Sequence, residues 1–171
     1  CSQELWKNPL ELSLDLTQEQ LNSLRSGWDL LIDIDSKYLD YSKIACHLLI
    51  QALEFHGIEN IAVKYSGSKG MHIIIPYRAF PQNINNLETK NMFPDWPRAI
   101  TTYLQSLISK KLIERISQLT GQGLSVSKYI KGDEEVGDAL KKVMPDLILV
   151  SSRHLFRAPY SLHEKTSLAS I

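Results

Sequence analysis

Apolar and polar positions alternate along the chain in two periods, one suited to helices and one to strands. Residues 17–26 predict a helix, in which Thr17 and Gln20 match a capping box and Gly27 supplies the stop. Residues 28–35 (WDLLIDID) are short and apolar and predict a strand. Residues 41–56 predict a second helix. Ile44, Leu48, Ala52 and Phe55 keep its spacing, Asp40 is placed to cap it, and Gly57 to end it. Residues 61–65 and 71–77 predict two further strands, joined by Ser66-Gly67-Ser68-Lys69-Gly70. Two glycines in so short a link suit a hairpin whose backbone takes positive φ or approaches a ligand closely.

Residues 78–96 form a polar connection containing Pro and Asn, with little regular pattern. A long helix is predicted over 97–119, with Pro97 at the favoured first position, Gly121 past the end, and Lys110, Lys111, Glu114 and Arg115 on its solvated face. Another helix over 133–144, stopped by Pro145, and short strands over 147–150 and 154–157 complete the pattern. Helices and strands mix without strict alternation and with at least one hairpin, so the expected class is α+β, a mixed sheet flanked by helices, not a doubly wound sheet. With no internal repeat, low-complexity tract or second boundary, residues 1–171 are expected to form one domain.

Composition narrows the class. Apolar residues are 43% and charged residues 22% of the chain, ordinary values for a soluble globular protein. No apolar run nears the roughly 20 residues that span a bilayer, and no signal peptide is visible. A cytoplasmic protein without membrane attachment is expected. Because it begins at Cys1, the chain reads as a fragment or a compact form. Cys1 and Cys46 are too few for a zinc site, and Cys46, in an apolar helical stretch, reads as a buried thiol rather than a disulfide partner. The 19 basic and 19 acidic side chains cancel. That balance argues against holding nucleic acid by bulk electrostatics, but leaves room for an enzyme that grips its template weakly or borrows grip from a partner.

Three segments can carry chemistry. Asp33 and Asp35 stand two apart on a predicted strand, so both carboxylates project from one face while Leu30, Ile32 and Ile34 form the other. Their Cα atoms would lie about 6–7 Å apart, close enough to share one or two hard cations such as Mg²⁺. The plain alternative is a solvated strand end. In Ser66–His72 (SGSKGMH), the turn amides with Ser66, Ser68 and Lys69 can donate to phosphate oxygens, and His72 can add a further donor. Here the alternative is an ordinary polar hairpin. The stretch HLFRAPYSLHEKT gathers His154, Arg157, His163 and Lys165, with Arg157 expected beside the sheet face and Phe156 packed inward. Its alternative is an edge strand with a polar tail. A zinc site of His72, His154 and His163 lacks any metal-binding spacing. Asp146, before an apolar strand, could add a third carboxylate or simply cap a turn, and Asp133, Glu134 and Glu135 read as a solvated helix start.

Taken together, these segments resemble the small catalytic subunit of archaeal and eukaryotic DNA primases, over most of the chain from Leu30 onward. LLIDID resembles the family's first motif, YSGSKGMH its Ser-Gly-x-(Arg/Lys)-Gly-x-His motif, and RHLFRAPYSLHEKTSLAS its third region. The resemblance implies a primase-type catalytic core that joins nucleotides on a single-stranded DNA template, using two divalent ions, Mg²⁺ or Mn²⁺. It implies Asp33, Asp35 and Asp146 as metal ligands, with Ser66, Lys69 and His72 on the triphosphate. Arg157 and His163 would neutralise nucleotide charge, and Lys165 would face nucleotide or template. The implied partners are nucleoside triphosphates, template DNA and a primase large subunit. The implied setting is the cytoplasm or nucleoid, or the nucleus in a eukaryote. Asp146 stands about a residue short of the family spacing, the zinc-binding insertion of many members is missing, and the helical subdomain is reduced to residues 97–119. Similar motifs occur in plasmid primase-polymerases and in the polymerase domains of bacterial end-joining ligases. A repair-type polymerase, or a primase fold kept only for binding, is therefore the alternative.

Overall fold

The computed structural model describes residues 1–120 and 155–171. The predicted capping box is formed: Thr17 Oγ1 accepts the Gln20 amide at 3.3 Å and Gln20 Oε1 accepts the Thr17 amide at 2.8 Å. It starts α1 (Gln18–Leu24), which ends earlier than predicted. Residues Arg25–Trp28 form a strand, β2, antiparallel to β1 (Glu4–Trp6), and Gly27 lies within it rather than after a helix. An ion pair overrides the helical pattern. Arg25, fully buried, sets Nε and Nη2 on Glu4 Oε1 at 3.1 and 2.7 Å and Nη1 on Asn22 Oδ1 at 2.6 Å. Its guanidinium also lies over the rings of Trp6 and Phe93. A charged group this deep needs every partner it has.

The apolar run after Asp29 becomes β3 (Leu30–Ile34), followed by α2 (Leu39–Phe55), β4 (Ala62–Tyr65) and β5 (Met71–Ile75). β4 and β5 form the predicted hairpin, and β5 also pairs with β3, giving the strand order β3-β5-β4. Every pairing among the described residues is antiparallel, so the mixed sheet expected from the sequence is not what they show. The reason is topological: α2 carries the chain across from β3 to β4, and β5 then inserts between them, splitting what would have been a parallel neighbour pair.

One face of this sheet is the core. Leu30, Ile32, Ile34, Ile73 and Ile75 are each at most 1% exposed and pack on Ala45, Leu48, Leu49 and Leu53 of α2 and on Leu104, Ile108 and Leu112 of the third helix, α3 (Asp95–Thr120). The buried stripe of α2 runs through Tyr41, Ala45, Leu48, Leu49 and Leu53, so it is rotated from the predicted one. Ile44 and Ala52 sit at its margin, and Phe55 is 86% exposed. Asp40 lies in the first turn, while the cap position is Tyr38, which makes no side-chain capping bond. Cys46 is buried and Cys1 exposed, both as free thiols, and burial pushes the Cys46 thiol up to about 11.

The connection before α3 is more ordered than its sequence predicts. A 3-10 turn over Tyr77–Ala79 leads to a small hairpin, β6 (Asn83–Ile84) and β7 (Leu87–Glu88), which turns through Asn85 and Asn86, at φ 50° and 66°. Two left-handed residues in a two-residue link are the hairpin geometry that Asn tolerates best among side-chain-bearing residues. Trp28, fully buried, anchors this region. Its indole N–H donates to the Thr89 carbonyl at 2.8 Å, and its ring meets Tyr77, Phe80 and Phe93. Pro97 falls in the first turn of α3 but not at its first position, because the helix begins at Asp95. The predicted elements over 133–144 and 147–150, Asp146 and His154 lie outside the described residues.

Candidate active site

The second face of the sheet carries the chemistry. Register places Asp33 of β3 opposite His72 of β5, and His72 opposite Lys64 of β4, so three ionisable side chains form one row across the strands. Asp35 follows directly after β3 on the same side as Asp33, and its Oδ1 accepts the Ser36 amide at 3.0 Å.

His72 Nε2 stands 3.3 Å from Asp33 Oδ1. Burial lowers the His72 pKa to about 4, with the charges of Lys64 and Arg157 adding to the effect, so at neutral pH the imidazole is uncharged. The contact is then between a neutral imidazole and a carboxylate rather than an ion pair. Nδ1 is buried with no hydrogen-bond partner among the described residues.

The link between β4 and β5 is held closed by its own backbone and by Ser66. The Ser66 amide donates to the Gly70 carbonyl at 3.0 Å, and Ser66 Oγ accepts the Gly70 amide at 3.1 Å. Tyr65 Oη donates to the Ser68 carbonyl. Gly67 has φ +94°, and a Cβ there would stand 2.9 Å from His163 Cβ and 3.0 Å from the Leu168 carbonyl oxygen. Glycine therefore allows both the turn and the close approach of residues 155–171.

That C-terminal segment is the third wall. Tyr160, Ser161, Leu162 and His163 fold back on residues 167–170 through paired backbone bonds, with an isolated bridge between Leu162 and Ala169. The Tyr65 amide donates to the Ile171 carbonyl, and Thr166 Oγ1 donates to the Gly67 carbonyl at 2.5 Å. At its other end Leu155 bridges Ser2, and Phe156 sets its ring edge-on to His72 at 6.2 Å. Arg157 was expected on a strand beside the sheet. It lies beside the sheet face, but in a segment that forms isolated bridges, at Leu155 and at Leu162, rather than a strand. Its Nη1 donates to Glu164 Oε2 at 2.7 Å. His163 Nδ1 accepts the Lys165 amide at 3.2 Å, which in the neutral ring leaves the proton on Nε2 as a donor.

These walls enclose an open cleft of about 720 Å³. Asp33, Asp35, Ser66, Lys69, His72, Arg157 and His163 all line it, as does Lys165. Of the residues singled out from the sequence, Asp146 and His154 lie outside the described residues. Sequence reasoning missed Lys37 and Glu164 on the cleft wall and Lys64 beneath it. Lys64 has a legible signal: a cation at an inward-facing alternate position of a strand, two residues before the loop.

Asp33 and Asp35 are the described residues that can hold a divalent cation. No group of three or more His, Cys, Asp or Glu side chains suited to a metal is assembled among the described residues. A two-carboxylate site fits Mg²⁺, which keeps several waters and completes its shell with substrate phosphate oxygens. It fits zinc, which favours three or four nitrogen or sulfur ligands, poorly.

Fold and cleft together define an α+β protein whose open sheet face sets carboxylates against a group of cations, Lys37, Lys69, Arg157 and Lys165. The chain belongs to the DNA primase small subunit family, whose sequence model matches residues 32–171. A curated relative, an uncharacterized protein of Methanocaldococcus jannaschii, is 30% identical over 103 residues, which cover 60% of this chain and 22% of the relative. The chain thus spans about a fifth of that protein's length. No solved structure matches it.

Proposed function

We propose that residues 1–171 form one primase-type catalytic core, a template-directed nucleotidyltransferase that makes primers from nucleoside triphosphates on single-stranded DNA. The observation that supports this most is convergence. Three segments far apart in sequence, Asp33 to Asp35, Ser66 to His72 and Arg157 to Lys165, line one cleft. Family membership supplies the reaction class.

In this reading Asp33 and Asp35, joined by Asp146, hold two Mg²⁺ or Mn²⁺ ions. When bound, the ions lower the pKa of the attacking 3′ hydroxyl and stabilise the leaving pyrophosphate. The protein's own contribution is positioning. Lys69 and the loop amides not engaged within the turn hold the triphosphate, His163 donates from Nε2, and Arg157 offsets phosphate charge after exchanging Glu164 for the ligand. Ser66 acts chiefly by shaping the loop, since its hydroxyl already holds the Gly70 amide. His72 holds Asp33 in place. The reaction forms a P–O bond from the 3′ oxygen to the α-phosphorus and breaks the bond to pyrophosphate, with the hydroxyl proton passing to solvent. A large subunit is the proposed source of additional template grip, because the chain carries no net charge.

The test is synthesis on single-stranded DNA with Mg²⁺ or Mn²⁺ and labelled nucleotides, with and without a primer, for the wild type and Asp33→Ala. Products without primer that vanish in the variant are expected, a loss of at least about 10³-fold from removal of metal-held charge stabilisation. Products only with primer would move the chain to a repair-type polymerase. Wild-type rates in the folded variant would overturn the metal assignment.

A further inference from the structure

Lys64 is only 6% exposed, yet it carries a charge and belongs to none of the roles above. Its surroundings explain why it is there. Nζ donates to Ser170 Oγ at 2.7 Å, and that hydroxyl donates in turn to the Tyr65 carbonyl at 2.9 Å. Ser170 is fully buried, and its backbone pairs with Tyr160 and Ser161 through bonds of 2.6 and 3.0 Å. The same ammonium lies 5.9 Å from the centre of the Phe156 ring, next to Arg157. Lys64 therefore touches both limbs of the segment 155–171, near its start through Phe156 and near its end through Ser170. Between those contacts lie Arg157, His163 and Lys165, which line the cleft.

We propose that Lys64 is a positioning residue: its buried ammonium pins both limbs of residues 155–171 against the sheet, so that Arg157 and His163 are held ready for the phosphates of an incoming nucleotide. The inference rests on the proposed nucleotide site, but the pin itself does not require catalysis. A desolvated cation bonded to a hydroxyl and facing an aromatic ring gains more than an exposed one would, because little water competes for it. Burial lowers the Lys64 pKa, Asp33 in the same cross-strand row opposes that shift, and Arg157 adds to it. The row thus links the carboxylate wall of the cleft to the cationic wall through two buried residues, His72 and Lys64.

Amide exchange read by mass spectrometry on the wild type, Lys64→Met and Ser170→Ala tests the pin without nucleotide. Met keeps the length and apolar stem of Lys, and the serine change removes only the hydroxyl, so at least one variant retains the fold. Faster exchange of residues 155–171, with the amides of Leu39–Phe55 still protected, is expected in both variants. Triphosphate affinity with Mg²⁺, measured by calorimetry, should weaken about tenfold, the order expected when binding groups are misplaced. In an extension assay the loss should fall on nucleotide KM, with kcat within about threefold. Unchanged exchange in both variants would overturn the pin. Faster exchange with unaltered triphosphate affinity would reduce Lys64 to a purely structural residue and overturn the positioning role. A wild type that binds no triphosphate would instead refute the nucleotide site, leaving the exchange result to decide the pin separately.

Discussion

At the scale of single residues, the fold tolerates buried charge only where geometry answers it. Arg25 is enclosed on all sides, with Glu4 and Asn22 accepting its hydrogen bonds and two aromatic rings stacked near it. Arg25→Ala removes the guanidinium that answers the buried Glu4 carboxylate and is expected to destabilise the protein by about 3–5 kcal/mol. Urea unfolding measures the loss, and the double change Arg25→Met with Glu4→Met should recover a large part of it. A loss below about 1 kcal/mol would mean the pair is not what ends α1. His72 titrates in the opposite sense from a salt-bridged histidine. Its pKa of about 4 in the folded state lies below its ordinary 6.5, so between those values the unfolded chain binds more protons. The stability it contributes is complete above about pH 6.5 and is lost as pH falls toward 4, up to about 3 kcal/mol. Unfolding in urea across that window, in metal-free buffer, should show a shallower decline for His72→Gln than for the wild type. Parallel declines would contradict the burial of a neutral imidazole.

At the scale of elements, the local signals that proved reliable are those set by neighbours in sequence. The capping box of α1 and the β4–β5 hairpin are where the residues predict them. The misses share one cause: competition between two acceptable patterns. α2 has two apolar stripes at helical spacing, and only its packing on the sheet and on α3 chooses the one through Ala45 and Leu49. Residues 25–28 extend a helical pattern, yet join β1, because pairing with a distant strand is invisible to local periodicity. Two glycines separate local from tertiary constraint experimentally. Gly57, at φ +77° with open space around it, should lose only about 1–2 kcal/mol on change to Ala, the cost of a left-handed conformation for a residue with a Cβ. Gly67→Ala meets His163 as well. It should therefore weaken triphosphate binding about tenfold where Gly57→Ala leaves it unaltered. Calorimetric titration of both variants decides this, and equal affinities would show that the loop and residues 155–171 move independently.

At the scale of the molecule, the proposed function depends on a balanced net charge and on where the cations sit. Basic and acidic side chains cancel, while Lys37, Lys69, Arg157 and Lys165 gather at one cleft, with Arg157 already engaged by Glu164. On the proposed reading, Lys37, Lys69 and Lys165, the cleft cations among the described residues that make no ion pair with a carboxylate, imply a shallow salt dependence for single-stranded DNA, a slope of about −2 in log affinity against log salt. Filter binding or anisotropy across salt concentrations measures it. A slope steeper than about −5 would require a basic surface elsewhere and would remove the argument for borrowed grip. Among the described residues no helix is long and apolar enough to cross a membrane.

The residues by themselves determined the elements bounded by strong local chemistry, the α+β class, and the three segments that resemble the family's motifs. They did so because capping, turn formation and strand alternation act over a few neighbours, and because carboxylates two apart on a strand must share a face. Tertiary structure alone decided that Asp33 stands opposite His72, that Lys64 sits in the same row, and that residues 155–171 close the cleft. Those facts come from antiparallel register, from the insertion of β5 between β3 and β4, and from hydrogen bonds joining residues about a hundred positions apart, such as Lys64 with Ser170 and Gly67 with Thr166. No pattern confined to one stretch of chain encodes a partner that far away.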